Sequence, residues 1–152
     1  MSDKNSTKRG GRRRARELAL QALYAVDVGG GAVGDAISGD LWRDPNISEE
    51  DLEFAERLVL GVIEERTKLD EKIDRLSHHW RVDRMSAVDR NVLRLALWEM
   101  VPGSAVPAAV IMDEAIEIVR RYSTSESTSF INGVLDRANR EQGGSSGGGK
   151  VL

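Results

Sequence analysis

Residues 14–26 read Arg14-Ala15-Arg16-Glu17-Leu18-Ala19-Leu20-Gln21-Ala22-Leu23-Tyr24-Ala25-Val26, and their spacing decides the fold class. Ala15, Leu18, Ala19, Ala22, Leu23 and Val26 recur at i, i+3, i+4, i+7, i+8 and i+11, the apolar stripe of an amphipathic helix. Gly29-Gly30-Gly31 ends it, since each glycine costs about 1 kcal/mol in a helix relative to alanine. The same period governs the rest of the chain. A weaker helical segment spans 34–42, and Asp44-Pro45-Asn46 reads as a turn. Ser48-Glu49-Glu50-Asp51 is a capping-box pattern ahead of Leu52, Ala55, Leu58, Val59, Val62 and Ile63. The stripe falters at Glu64-Glu65-Arg66, and Thr67-Lys68-Leu69-Asp70 offers a second start before Ile73 and Leu76, so 49–78 holds two helices or one bent helix.

Ser86-Ala87-Val88-Asp89, a capping-box pattern, opens a helix apolar around much of its circumference, which is expected to be the central, most buried one. Pro102-Gly103 stops it, and Pro107 occupies a first-turn position ahead of Val110, Ile111, Ala115, Ile118 and Val119. Ser123-Thr124-Ser125-Glu126 starts the last helix, with Phe130, Ile131, Val134, Leu135 and Ala138 on its apolar side. No period-2 alternation bounded by turns occurs. The expected fold is all-α with six or seven helices. Residues 1–11 are expected to be a disordered basic arm, 12–140 the helical domain, and 141–152 a disordered Gly/Ser-rich tail.

The 152 residues carry a formal charge of −3, but that near balance is uneven. Residues 1–16 hold seven basic side chains and one acid, a local +6 on a body of −9. A basic arm on an acidic body points to nucleic acid or a membrane surface. With no cysteine there is no disulfide framework, thiolate zinc site or cysteine nucleophile. His78 and His79 are adjacent, which on a helix points them ~100° apart, so with Asp83 they make a poor metal set. No apolar run approaches the ~18–20 residues of a membrane span. The N-terminus lacks the apolar core of a signal peptide. A cytoplasmic protein is therefore expected. No nucleophile with a partner base and no phosphate-binding loop emerges, so neither an enzyme nor a cofactor is expected.

Arg12, Arg13, Arg14 and Arg16 enter the first helix together, with Tyr24 two turns beyond Arg16. Guanidinium groups grip phosphates, and a nearby ring offers a stacking platform for a base. Arginines at a helix N-terminus oppose its dipole, which favours an anionic ligand over a merely solubilising tail. Among the acids of the body, Asp89, Glu99, Asp113, Glu114 and Glu117 flank apolar stripes. Most such acids form a solvated face, and a minority would meet a basic protein partner.

Five segments in register carry a resemblance. Residues 12–24 (Arg12-Arg13-Arg14-Ala15-Arg16-Glu17, then Ala19, Gln21-Ala22-Leu23-Tyr24), Arg57-Leu58-Val59 with Gly61-Val62, and Val88-Asp89-Arg90 with Val92-Leu93-Arg94-Leu95-Ala96 are the first three. Val106-Pro107 through Asp113-Glu114-Ala115-Ile116-Glu117 and Phe130-Ile131-Asn132-Gly133-Val134-Leu135-Asp136 complete the set. Together they resemble the bacterial transcription antitermination factor NusB family over residues 12–138. The resemblance implies two packed helical bundles. It also implies binding of boxA RNA in nascent ribosomal RNA transcripts, together with the ribosomal protein NusE, in an elongating RNA polymerase complex with other Nus factors. By the same resemblance, the RNA contacts fall on the arginine-rich start, Tyr24, Glu126 and Phe130. The NusE contacts fall on the central helices at Asp89, with Glu99 and Glu114 as further candidates. Asp113 stands where the family commonly has asparagine, and Trp98 where it often has tyrosine. The fold also begins certain ribosomal RNA cytosine methyltransferases, a reading disfavoured by the missing cysteine and cofactor domain. Some members form homodimers, leaving open a structural dimer whose arginines are covered by its mate.

Overall fold

The computed structural model describes residues 3–78 and 80–143, and of residues 3–11, 40 and 41 it describes the backbone only. His79 and the stretch 144–152, where most of the expected tail falls, lie outside the described residues. All regular structure among the described residues is helical: seven α-helices and two short 3-10 turns. The chain divides into two compact units, Met1–Glu64 and Glu65–Leu152.

The first unit holds α1 (Asp3–Gly29), α2 (Val33–Ala36), a 3-10 turn (Asp40–Arg43) and α3 (Glu49–Glu64). Ala15, Leu18, Ala19, Ala22 and Leu23 are buried as the stripe requires. Leu20, outside that stripe, is buried too. Gly30 closes the helix at φ 71, its N–H donating to the Val26 carbonyl at 2.9 Å; only a residue at ease in the left-handed region does this without strain. The weak 34–42 segment breaks into one α-helical turn and one 3-10 turn. Ser48 caps α3, accepting from the Asp51 N–H at 3.1 Å. The Asp51 carboxylate accepts from the Ser48 hydroxyl instead of reaching back to the backbone.

The second unit contains α4 (Arg66–Leu76), a 3-10 turn (Val82–Arg84), α5 (Ala87–Glu99), α6 (Ala108–Tyr122) and α7 (Ser125–Glu141). The 49–78 stretch is thus two helices, with Glu65 at φ −99, ψ 12 between them. The Thr67 start signal is unused: α4 begins one residue earlier, with no side-chain cap. Ser86 and Thr124 do cap α5 and α7, accepting from the Asp89 and Ser127 N–H groups at 3.1 Å. Pro107 is the N-cap of α6 instead of its first helical residue, and its carbonyl accepts from Val110 and Ile111. Between α5 and α6, the Ser104 N–H donates to the Val101 carbonyl at 3.0 Å across Pro102-Gly103. Gly103 sits at φ 85, the third position of a type II turn, where a Cβ would be strained.

As the sequence indicates, α5 is buried on all sides; it and α7 each pack against the other three helices of the unit. Its enclosed face includes Arg94, 2% exposed, whose Nε and Nη2 donate to the two carboxylate oxygens of Asp70 at 2.7 and 3.0 Å. Arg137 of α7 donates through Nε to the Leu76 carbonyl at 2.8 Å, satisfying an orphan acceptor at the end of α4. Arg75 pairs with Glu141 and, chiefly through that hydrogen bond, holds its carboxyl below the usual carboxylate range.

Candidate nucleic-acid interface

In the first unit, Ala15 and Ala55 are fully buried, and their small side chains let α1 approach α3 closely. Phe54 packs on the edge of this cluster. Arg12 and Arg16, one turn apart on α1, bring their guanidinium carbons to 4.2 and 5.2 Å from the Phe54 ring centre. Arg57, three residues after Phe54 on α3, lies at 5.7 Å. All three distances fall within the ~6 Å reach of a cation–π contact. Acids complete the arrangement. Arg12 approaches Glu50 at 3.8 Å and Asp51 at 3.6 Å, both in the first turn of α3, where negative charge also suits the helix dipole. Arg14 approaches Glu17 at 3.7 Å and Asp44 at 3.9 Å.

These contacts change how the arginine cluster is understood. The helix begins at Asp3, not near Arg12, so Arg12 to Arg16 stand several turns inside it. The dipole acts only on the terminal turn, so the expected dipole repulsion does not bear on these arginines. Arg16 is 7% exposed, its cation laid on Phe54 and not free in solvent. Arg12, Arg13 and Arg14 are half-buried. Tyr24 is 44% exposed, so its ring is not tucked into the bundle and one side is open for stacking.

In the second unit, Glu126 is exposed in the first turn of α7, and Phe130 is half-buried one turn later. The Phe130 ring meets Trp80 edge-on, with centroids 6.3 Å apart and planes at 64°. Asp89, Glu99 and Glu114 are each only 8% exposed, which departs from the surface placement their sequence positions suggest. The Asp89 carboxylate accepts from the Ser123 hydroxyl at 3.1 Å and the Ser127 hydroxyl at 2.7 Å, so its charge faces the α6–α7 corner. Glu99 and Glu114 also have partners within the fold.

Sequence reasoning missed Phe54 and Trp80. Phe54 lies off the apolar stripe of α3 with an arginine three residues later, a spacing that could have flagged it; Trp80 carries no periodic signal. Among the described residues no three metal-capable side chains cluster, and no helix is long and apolar enough to cross a membrane.

The NusB family model matches residues 13–140. The chain is 45% identical over 128 residues to the transcription antitermination protein NusB of Sorangium cellulosum, covering 84% of this chain and 91% of that one. It superposes on the T. maritima NusB structure with a TM-score of 0.77 at 36% identity, over 86% of this chain and 92% of that one. A NusB from a crystal structure of the antitermination factors NusB and NusE with double-stranded RNA gives the same TM-score at 25% identity, over 86% and 97% of the two chains. The chain therefore belongs to the NusB family, a family of transcription antitermination proteins and not of enzymes.

Proposed function

We propose that this chain is a transcription antitermination factor that binds boxA RNA of nascent ribosomal RNA transcripts together with NusE and promotes processive elongation within the RNA polymerase complex. The observation that carries the reading is α1: an exposed tyrosine two turns beyond a bank of gathered arginines. Single-stranded RNA is held by phosphate contacts and read by stacking, and this helix offers both. Arg12, Arg13, Arg14 and Arg16 supply the cations and Tyr24 the platform, with Glu126 and Phe130 of α7 contributing base contacts. Membership of the family and the likeness to a NusB captured with NusE and RNA support the same reading. Because Asp89, Glu99 and Glu114 expose so little, NusE would meet only the edges of their carboxylates, and Asp89 would chiefly shape the surface it borders.

Titration of labelled boxA RNA, with and without NusE, tests this. About four arginine–phosphate contacts give a slope of log K against log salt near −3, or about a 50-fold loss from 50 to 200 mM salt. NusE should tighten the complex. Equal affinity for a scrambled RNA, or no effect of NusE, would sink the proposal. Tyr24→Ala should weaken RNA binding by roughly 1–3 kcal/mol with a smaller effect on the melting temperature than truncating a core side chain, because the residue is 44% exposed. A large drop in melting temperature with unaltered affinity would assign Tyr24 to the bundle instead.

A further inference from the structure

Trp80 is the most exposed large aromatic residue outside α1 and α7 among the described residues, 57% accessible. Burying so large an apolar side chain would be favourable, so its exposure calls for a reason. Its surroundings hold it in place. The Arg137 contact to the Leu76 carbonyl ties the end of α4 to α7, on the same face of α7 as Phe130 seven residues earlier. Beyond that tie, the Ser77 hydroxyl donates to the Trp80 carbonyl, and the Val82 N–H donates to Asp74 Oδ1 at 2.7 Å. Buried Val82 and Met85 anchor the following turn. The indole is thus presented by a braced segment and steadied along one edge by Phe130.

The flanking charges identify what it is presented to. Arg81 projects into solvent with its side chain 70% exposed, at 3.4 Å from the equally open Asp83, and Arg84 is exposed as well. Exposed ion pairs of this kind are weak and yield readily to a phosphate. Aromatic rings interleaved with arginines are the arrangement that binds single-stranded nucleic acid. A purely apolar protein partner would leave those cations without use. We infer that Trp80, paired with Phe130, is a second base-stacking platform for single-stranded RNA, with Arg81 and Arg84 holding the adjoining phosphates. This inference rests on the RNA-binding function proposed above, in which Phe130 already takes part, and adds Trp80, Arg81 and Arg84 to it.

The full-length chain and a boxA-containing single-stranded RNA test it. Trp80→Ala should weaken binding at least about 5-fold with the salt slope and melting temperature unchanged. Trp80→Phe should restore most of the affinity and remove the Trp80 share of the RNA-induced fluorescence quenching expected of the unsubstituted protein; the variant keeps Trp42 and Trp98 as internal references. With these two contacts added to the four on α1 the slope steepens to about −4, and replacing Arg81 and Arg84 by alanine should return it toward −3, about 0.7 for each phosphate no longer neutralised. If Trp80→Ala binds as tightly as the unsubstituted protein, the platform does not exist, although the RNA-binding function stands. If affinity falls only in step with melting temperature, Trp80 is structural and the inference fails. If the unsubstituted protein binds no RNA, both fail.

Discussion

Asp70→Ala should lower the melting temperature of the protein markedly, because it strands a buried cation. Arg94 is 2% exposed, and its two forked donations to Asp70 at 2.7 and 3.0 Å are supplemented by Nη1 donating to Asn91 Oδ1 at 2.9 Å. A guanidinium removed from water is tolerable only with its carboxylate in place. Deleting one partner of a buried pair costs about 3–5 kcal/mol. At 2–4 °C per kcal/mol for a chain of this size, that is a fall in melting temperature on the order of 10 °C. Removing both charges behaves differently: Asp70→Leu combined with Arg94→Met should recover most of the loss, since no charge is left buried. Thermal and urea unfolding of Asp70→Leu, of Arg94→Met and of the double closes the cycle. A loss under about 1 kcal/mol for Asp70→Ala would mean that Arg94 reaches water or another acceptor easily, and that the pair is incidental.

The second large effect is expected at Asp89. Its carboxylate gathers the Ser123 and Ser127 hydroxyls, one at the end of α6 and one in the first turn of α7. Charge-assisted hydrogen bonds contribute about 1.5–3 kcal/mol each. Ser127 keeps a contact with the Thr124 hydroxyl at 3.2 Å after the carboxylate is gone, so the two effects do not simply add. Asp89→Ala should therefore destabilise by about 2–3 kcal/mol, and amide exchange should quicken over 123–131. Asp89→Asn retains an acceptor and should lose about 1 kcal/mol. The pair of variants separates two roles. If Asp89 mainly orients α7, RNA affinity falls with exchange protection in both variants. If it mainly meets a basic protein, Asp89→Asn weakens NusE binding while protection over 123–131 stays intact.

How much of this was legible in the sequence depended on range. The stripe through Ala15, Leu18 and Ala22, the glycine stop after α1, the caps at Ser48 and Ser86, and the Pro102-Gly103 turn are local patterns. The backbone obeys each of them. Arg94–Asp70 and Asp89–Ser127 join residues 24 and 38 positions apart, and nothing in the local pattern around either acid announces its partner. The arginine cluster was visible as charge, whereas its seat on Phe54 depends on α1 meeting α3 and could not be seen from either helix alone. The start of α1 was hidden for a related reason. Polar residues 3–11 carry no apolar stripe, yet the backbone continues as helix through them. Site residues implied by family resemblance fell on the surface at Tyr24 and Glu126 but inside the fold at Arg16 and Asp89, because likeness of sequence reports position and not exposure.

The Phe54 ring has one more consequence. A long, flexible arginine loses roughly 2 kcal/mol of rotamer freedom when it is immobilised. Around Phe54, that restriction is imposed when the chain folds, so an arriving anion meets cations already corralled. On the RNA-binding function proposed above, part of the capacity to hold a phosphate is then stored in an uncharged residue. A substitution at Phe54 would mimic the loss of an arginine without removing any charge, and a survey confined to basic side chains would overlook it.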